Sequence, residues 1–206
     1  MRLPIASEGW PLILPLFAVA GLCVLLHWRA AAAAALALAL FVTWFFRDPA
    51  RAIPDDPAAI VSPADGRVIE IATGAGGARI SIFLSIFNVH VNRTPVAGEV
   101  VEVVRRPGKF LAAWKHEASS DNAQAAVTVR TPRGDVRFVQ VTGLIARRIV
   151  CHLAPGDRVE RGERYGLIRF GSRVDLLLPP GAEPAVRIGD RLRGGADIIA
   201  RWRDAA

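Results

Sequence analysis

Cysteine is nearly absent: Cys23 and Cys151 are the only two in 206 residues, one in an apolar stretch and one far downstream. This argues against a disulfide scaffold or a CxxC metal or redox pair, and it fits a reducing compartment. Lysine is as scarce, with Lys109 and Lys115 alone. Zinc-finger spacing, a basic-aromatic RNA motif and a concentrated Lys/Arg helix are all missing, which argues against a nucleic-acid partner. Charge is missing from one long stretch, since residues 10–46 hold a single charged side chain, Arg29.

That stretch explains the 52% hydrophobic content, above the soluble norm. Trp10 to Leu26 and Ala30 to Phe46 are apolar runs of about 17 residues each, near the lower limit of ~17–25 for a spanning helix. The break at His27-Trp28-Arg29 predicts a helical hairpin that either spans the bilayer or lies in one leaflet. A signal peptide is disfavoured, because the second run follows directly and no small-residue cleavage site precedes the body. Trp10, Trp28 and Trp44 fall near the run ends, where indoles favour the membrane interface. Arg2 before the hairpin and Arg47 and Arg51 after it place both termini on the cytoplasmic side, with Arg29 at the tip opposing. The expected organisation is a membrane-anchoring hairpin over 1–48, a Pro/Asp-rich linker over 49–59 and a β-rich domain over 60–206.

With Arg2, Arg29 and Glu8 set aside from the 26 basic and 19 acidic residues, the remainder holds 24 against 18 and a net charge of +6. A solvated arginine-rich surface and attraction to anionic lipid both account for this, and the apolar N-terminus favours lipid. From Ile60 the pattern is one of short β-runs: Val68–Ile71, Arg79–Leu84, Val89–Asn92, Glu99–Val104, Ala126–Arg130, Val136–Val141, Ala146–Cys151, Tyr165–Phe170 and Val174–Leu178. Turn residues separate them, as at Ala64-Asp65-Gly66, Pro107-Gly108 and Pro155-Gly156-Asp157. Runs this short predict a mainly β fold, a compact barrel or sandwich. SPADGRVIEI and LAPGDRVERGERYGLI look like the strand-turn-strand units of barrel-sandwich hybrids, and residues 183–206 suggest one more hairpin and a final strand or tail.

Within GERYGLIRFGSRVDLLLP, Gly171-Ser172 sits between two strand-like runs. Glycine permits backbone conformations closed to other residues, so the bond after Gly171 suits a strained bend exposed to the Ser172 hydroxyl. Taken alone, the pair reads first as a β-bulge or turn whose glycine serves only the backbone. The wider match decides: GDRVERGERYGLIRFGSRVDLLLP, SPADGRV and FLSIFNVHVNRTPVAGEV together resemble the short prokaryotic form of phosphatidylserine decarboxylase, a family of pyruvoyl enzymes, over roughly residues 45–180.

The resemblance implies a proenzyme that cuts itself between Gly171 and Ser172, giving a β chain of 1–171 and an α chain of 172–206. Ser172 becomes a covalent pyruvoyl group, which forms a Schiff base with the amine of phosphatidylserine and yields phosphatidylethanolamine. His90, in FNVHVNR, is implied as the base, and Asp65, in SPADGRV, as the acid that orients it, in a division of labour like that of serine hydrolases. The longer bacterial relatives carry two histidines three residues apart here, whereas this chain has His90 and then Arg93. His116 and His152 stand in reserve, and Asn122 is implied as a substrate contact. The partners implied are an aminophospholipid in the cell membrane and the two chains of the same proenzyme; a homo-oligomer stays open. Arg47, Arg51 or nearby arginines are expected to meet lipid phosphate. No metal is expected.

Two rivals remain. A membrane-tethered zinc hydrolase of the lysostaphin type requires a His-x-His pair, where this chain offers His90-Val91-Asn92. A lipoyl-like carrier or adaptor requires a lysine at a hairpin tip, and neither lysine lies in the two hairpin-like units.

Overall fold

The computed structural model describes residues 4–114, 118–144, 148–169 and 171–203. Lys115 and His116, the start of the expected run Ala146–Cys151 and Phe170 lie outside them. The chain divides into two units, Met1–Ala50 and Arg51–Ala206.

In the first unit, a 3-10 turn at Ser7–Gly9 leads into α1, Trp10–Leu25, and α2 follows as Arg29–Phe45. Pro11 near the helix start costs α1 no hydrogen bond, and the alanine run of α2 has the highest helix propensity available. His27 takes a positive φ of 57° to turn the chain at the tip. The helices pack through Ile13, Ala20 and Cys23 against Ala32, Ala39, Val42 and Phe45, mostly small residues that let backbones approach. Their other faces expose Leu14, Leu22, Val24, Leu25, Leu38 and Leu40. The apolar helical segment Ser7–Leu25 is long enough to cross a membrane, and Arg29–Phe45 is shorter.

The second unit is mainly β. Its largest sheet is antiparallel throughout and comprises β2 (Gly66–Gly74), β3 (Gly77–Leu84), β5 (Gly98–Arg106), β6 (Gln124–Thr131), β7 (Gly134–Val141), β9 (Arg158–Val159), β11 (Ser172–Leu178) and β13 (Arg191–Leu192). The strand order is β13-β2-β3-β11-β7-β6-β5-β9. A second sheet orders β4 (Val91–Arg93), β10 (Arg164–Ile168) and β8 (Ile149–Cys151) as β4-β10-β8. A third runs β1 (Ala59–Val61), β14 (Ile198–Trp202) and β12 (Ala182–Pro184).

Alternation explains the large sheet. Ile80, Ile82 and Leu84 of β3, Val174, Leu176 and Leu178 of β11, and Phe138 of β7 all turn inward, and the register sets Leu176 opposite Ile80 and Phe138. Phe138 packs on Tyr165 of β10 with ring centroids 4.9 Å apart, joining the large sheet to the β4-β10-β8 sheet. The opposite side of β11 carries charge. Arg173, 1% exposed, donates to Asp175 at 2.6 Å, Glu70 at 3.0 Å and Ser81 at 2.6 Å. A buried guanidinium is tolerated only with such partners.

Two outcomes follow for stability. Arg173→Ala strands Asp175 in the interior and is expected to cost about 3–5 kcal/mol in denaturant unfolding; a loss near zero would contradict this network. Burial alone would push the Glu70 carboxyl up, but Arg79 and Arg173 outweigh it and hold the group below its ordinary 4.5. A lowered folded value adds stability above 4.5 that is lost as pH falls through the lowered value. The thermal midpoint should therefore fall on acidification through that window, and Glu70→Gln should flatten the slope. An unchanged slope would remove Glu70 from the account.

Candidate active site

The Gly171-Ser172 bond lies where the chain passes from β10 of the small sheet into β11 of the large one. Gly171 supplies the change of direction with φ +67°, in the region that favours glycine. Ser172 opens β11 opposite Leu84 and is completely buried. Its Oγ has no hydrogen-bond partner among the described residues.

His90 comes to this bond from the segment leading into β4. Its ring is 2% exposed, and Nε2 accepts a hydrogen bond from the Gly171 N–H at 3.3 Å. Nδ1 lies 3.0 Å from the Asn88 carbonyl oxygen. One neutral tautomer satisfies both contacts: the proton on Nδ1 donates to Asn88, and the Nε2 lone pair faces the Gly171 peptide. Asn88 is itself fixed, because its Oδ1 accepts from the Ser85 N–H at 2.9 Å and the Ser85 hydroxyl at 2.8 Å.

Asp65 precedes β2 in a turn bonded to the strand after His90, the Arg93 N–H donating to the Pro63 carbonyl at 2.9 Å. Arg51 Nη2 donates to both Asp65 carboxylate oxygens, at 3.0 and 2.8 Å, and the Gly194 N–H donates to Oδ1 at 2.8 Å. The Arg51 side chain is only 10% exposed, so this expected phosphate ligand is turned inward onto Asp65. Arg47 lies over the Trp44 ring, 3.9 Å from its centroid.

Asn122 is 1% exposed and works as a clamp. Its Oδ1 accepts from the Leu111 N–H at 2.8 Å, and Nδ2 donates to the Leu111 carbonyl at 2.8 Å and the Thr142 carbonyl at 2.7 Å. Next in sequence is Gly143, which the sequence reading passed over. A methyl group at Gly143 would overlap the Gly171 carbonyl oxygen and stand 3.2 Å from Ala113 Cβ. Asn122 thus holds the strand end whose glycine packs on the carbonyl of the Gly171-Ser172 bond. A glycine just past β7 looks in sequence like any turn glycine, so no local signal marks it.

Among the described residues, Cys151 and Tyr165 are disfavoured as nucleophiles, and two histidines lie apart from the site. Burial pushes the Cys151 thiol above its ordinary value, and burial, with Cys151 nearby, holds the Tyr165 hydroxyl well above 10. His152 is exposed, and His27 lies in the other unit. No three His, Cys, Asp or Glu side chains converge as metal ligands among the described residues.

The sequence that builds this site has counterparts among known proteins. A sequence profile described as phosphatidylserine decarboxylase matches residues 38–200. The phosphatidylserine decarboxylase proenzyme of Symbiobacterium thermophilum is 49% identical over 210 residues, covering 98% of this chain and 97% of its own. That of Geotalea uraniireducens is 46% identical with 95% of each chain covered, and that of Solibacter usitatus 49% identical over 97% and 98%. The chain belongs to the phosphatidylserine decarboxylase family and is an enzyme of the decarboxylase class.

Proposed function

We propose that this chain is a self-processing, pyruvoyl-dependent enzyme that converts phosphatidylserine to phosphatidylethanolamine, with Ser172 as nucleophile, His90 as base and Asp65 as the acid that supports the histidine. The observation that carries the reading is the Nε2 lone pair of His90 set against the Gly171 peptide beside a buried, unpartnered Ser172 hydroxyl.

Processing starts when Ser172 Oγ attacks the Gly171 carbonyl carbon. His90 takes the hydroxyl proton and returns it to the Ser172 nitrogen as the peptide bond breaks, leaving Gly171 as an ester on the serine oxygen. Loss of the Ser172 α-proton then expels Gly171 as a carboxylate and leaves a dehydroalanine. Its imine form takes up water and releases ammonia, so that a ketone replaces the amine. The β chain ends at Gly171, and the α chain begins at 172.

The residues present suit such a group. Position 172 is buried, and Arg173 beside it is pinned by Asp175, Glu70 and Ser81, so the new terminus stays in register after the cut. A ketone there supplies an electrophile for a substrate amine and an electron sink when carbon dioxide leaves. His90 would then hold the proton that replaces the lost carboxylate. The apolar hairpin and the basic body fit a lipid substrate, and the arginines flanking the hairpin favour the cytoplasmic face of the cell membrane.

On a denaturing gel the wild-type protein should give two chains and Ser172→Ala one; a split Ser172→Ala protein would refute the assignment. Gly143→Ala, by pushing on the Gly171 carbonyl, should slow the cut by about 100-fold or more. Cutting at the wild-type rate would show that the Gly143 contact does not position the carbonyl.

A further inference from the structure

Three loops border the Gly171-Ser172 bond, and each joins a residue packed at the site to a neighbour that carries a large apolar side chain into solvent. Phe87, 65% exposed, precedes Asn88, which holds the His90 ring. Trp114, 62% exposed, follows Ala113, the neighbour of Gly143, and packs edge-on against Phe83 at 5.8 Å. Leu144, 59% exposed, follows Gly143 itself. Side chains of this size scattered singly mean little, but three of them around one buried reaction centre mark a contact surface.

The charge on the rim indicates what it meets. Arg106 at the end of β5, Lys109 on the loop that carries Trp114, and Arg148 beyond Leu144 are exposed, while Asp121 is engaged by Lys109 at 3.0 Å. Separate apolar tips fit a soft surface that fills the gaps between them better than a rigid protein face. Indole is the side chain that best tolerates the boundary between headgroups and acyl chains, and cationic flanks add attraction to anionic headgroups.

We infer that Phe87, Trp114 and Leu144 form a docking rim that inserts into an anionic phospholipid surface and seats this side of the β body on the headgroup layer. This rests on the decarboxylase reading above and deepens it. The rim belongs to the β body, so it governs how substrate is presented, separately from any anchoring by the N-terminal hairpin.

The test uses the full-length processed protein with Phe87, Trp114 and Leu144 replaced together by Ser. Two substrates are compared: phosphatidylserine in phosphatidylcholine vesicles, and dihexanoyl phosphatidylserine as monomers in water. The triple variant should lose roughly tenfold or more in kcat/KM on vesicles, as expected for removing three large apolar side chains that the bilayer would bury. It should stay within about twofold on the monomer and cut itself as completely as wild type. An equal loss on both substrates, or no loss on vesicles, would overturn the rim.

A second measurement does not depend on turnover. In a Trp10→Phe, Trp28→Phe, Trp44→Phe, Trp202→Phe protein, the remaining Trp114 should be quenched by vesicles of acyl-brominated anionic lipid; absence of quenching would overturn the proposal. Wild-type protein inactive on both substrates would instead fault the decarboxylase reading, and the quenching result would still decide the rim.

Discussion

The hydrogen bond from the Gly171 N–H to His90 Nε2 is the contact through which the two halves of the site meet. Its donor lies on the connection between β10 and β11, and its acceptor on the segment entering β4, 81 residues away in sequence. Forming it requires β10 to pair with β4 while β11 pairs with β3 and β7, so the chain must change sheets between Ile168 and Ser172. Gly171, in that connection, takes a positive φ that glycine adopts without strain. The Phe138–Tyr165 packing and the clamp on Arg173 fix the two sheets on either side of it.

Around this contact several side chains are held by hydrogen bonds, and the Ser172 hydroxyl is not. His90 is oriented by Asn88, Asp65 is held by Arg51 and Gly194, and Asn122 spends its whole amide on backbone. A buried hydroxyl without a partner carries a desolvation cost of about 1–3 kcal/mol, and Ser172 bears it at the residue where the chain crosses between sheets. Placing an unsatisfied hydroxyl next to the peptide that faces the His90 lone pair is a costly arrangement for stability alone and a useful one for chemistry.

Much of this was legible from the residue pattern, for identifiable reasons. The β3, β7 and β11 cores alternate at period two, and the uncharged stretch from Trp10 to Phe46 has helical hairpin length with a polar break, so both parts of the architecture show locally. Strands β1, β9 and β13 did not show, since two or three residues cannot display a period; they exist because distant partners recruit them, as β14 does Ala59–Val61. His90 and the Gly171-Ser172 pair stood out through family resemblance. Gly143 and the inward turn of Arg51 did not, because each is defined by a contact, with the Gly171 carbonyl and with Asp65, that no local spacing encodes. Arg51 in particular reads in sequence as a membrane-proximal cation, and only the fold gives it a buried carboxylate.

The central claim is that one peptide bond is sacrificed to make an electrophile. The most direct measurement is the intact mass of the small fragment spanning residues 172–206 in purified active protein, with its N-terminus probed by an amine reagent. The account predicts a fragment lighter by one ammonia than its sequence, blind to the amine reagent and reactive toward a hydrazide. A full-length chain with turnover, or a small fragment that begins with an ordinary serine amine, would contradict it.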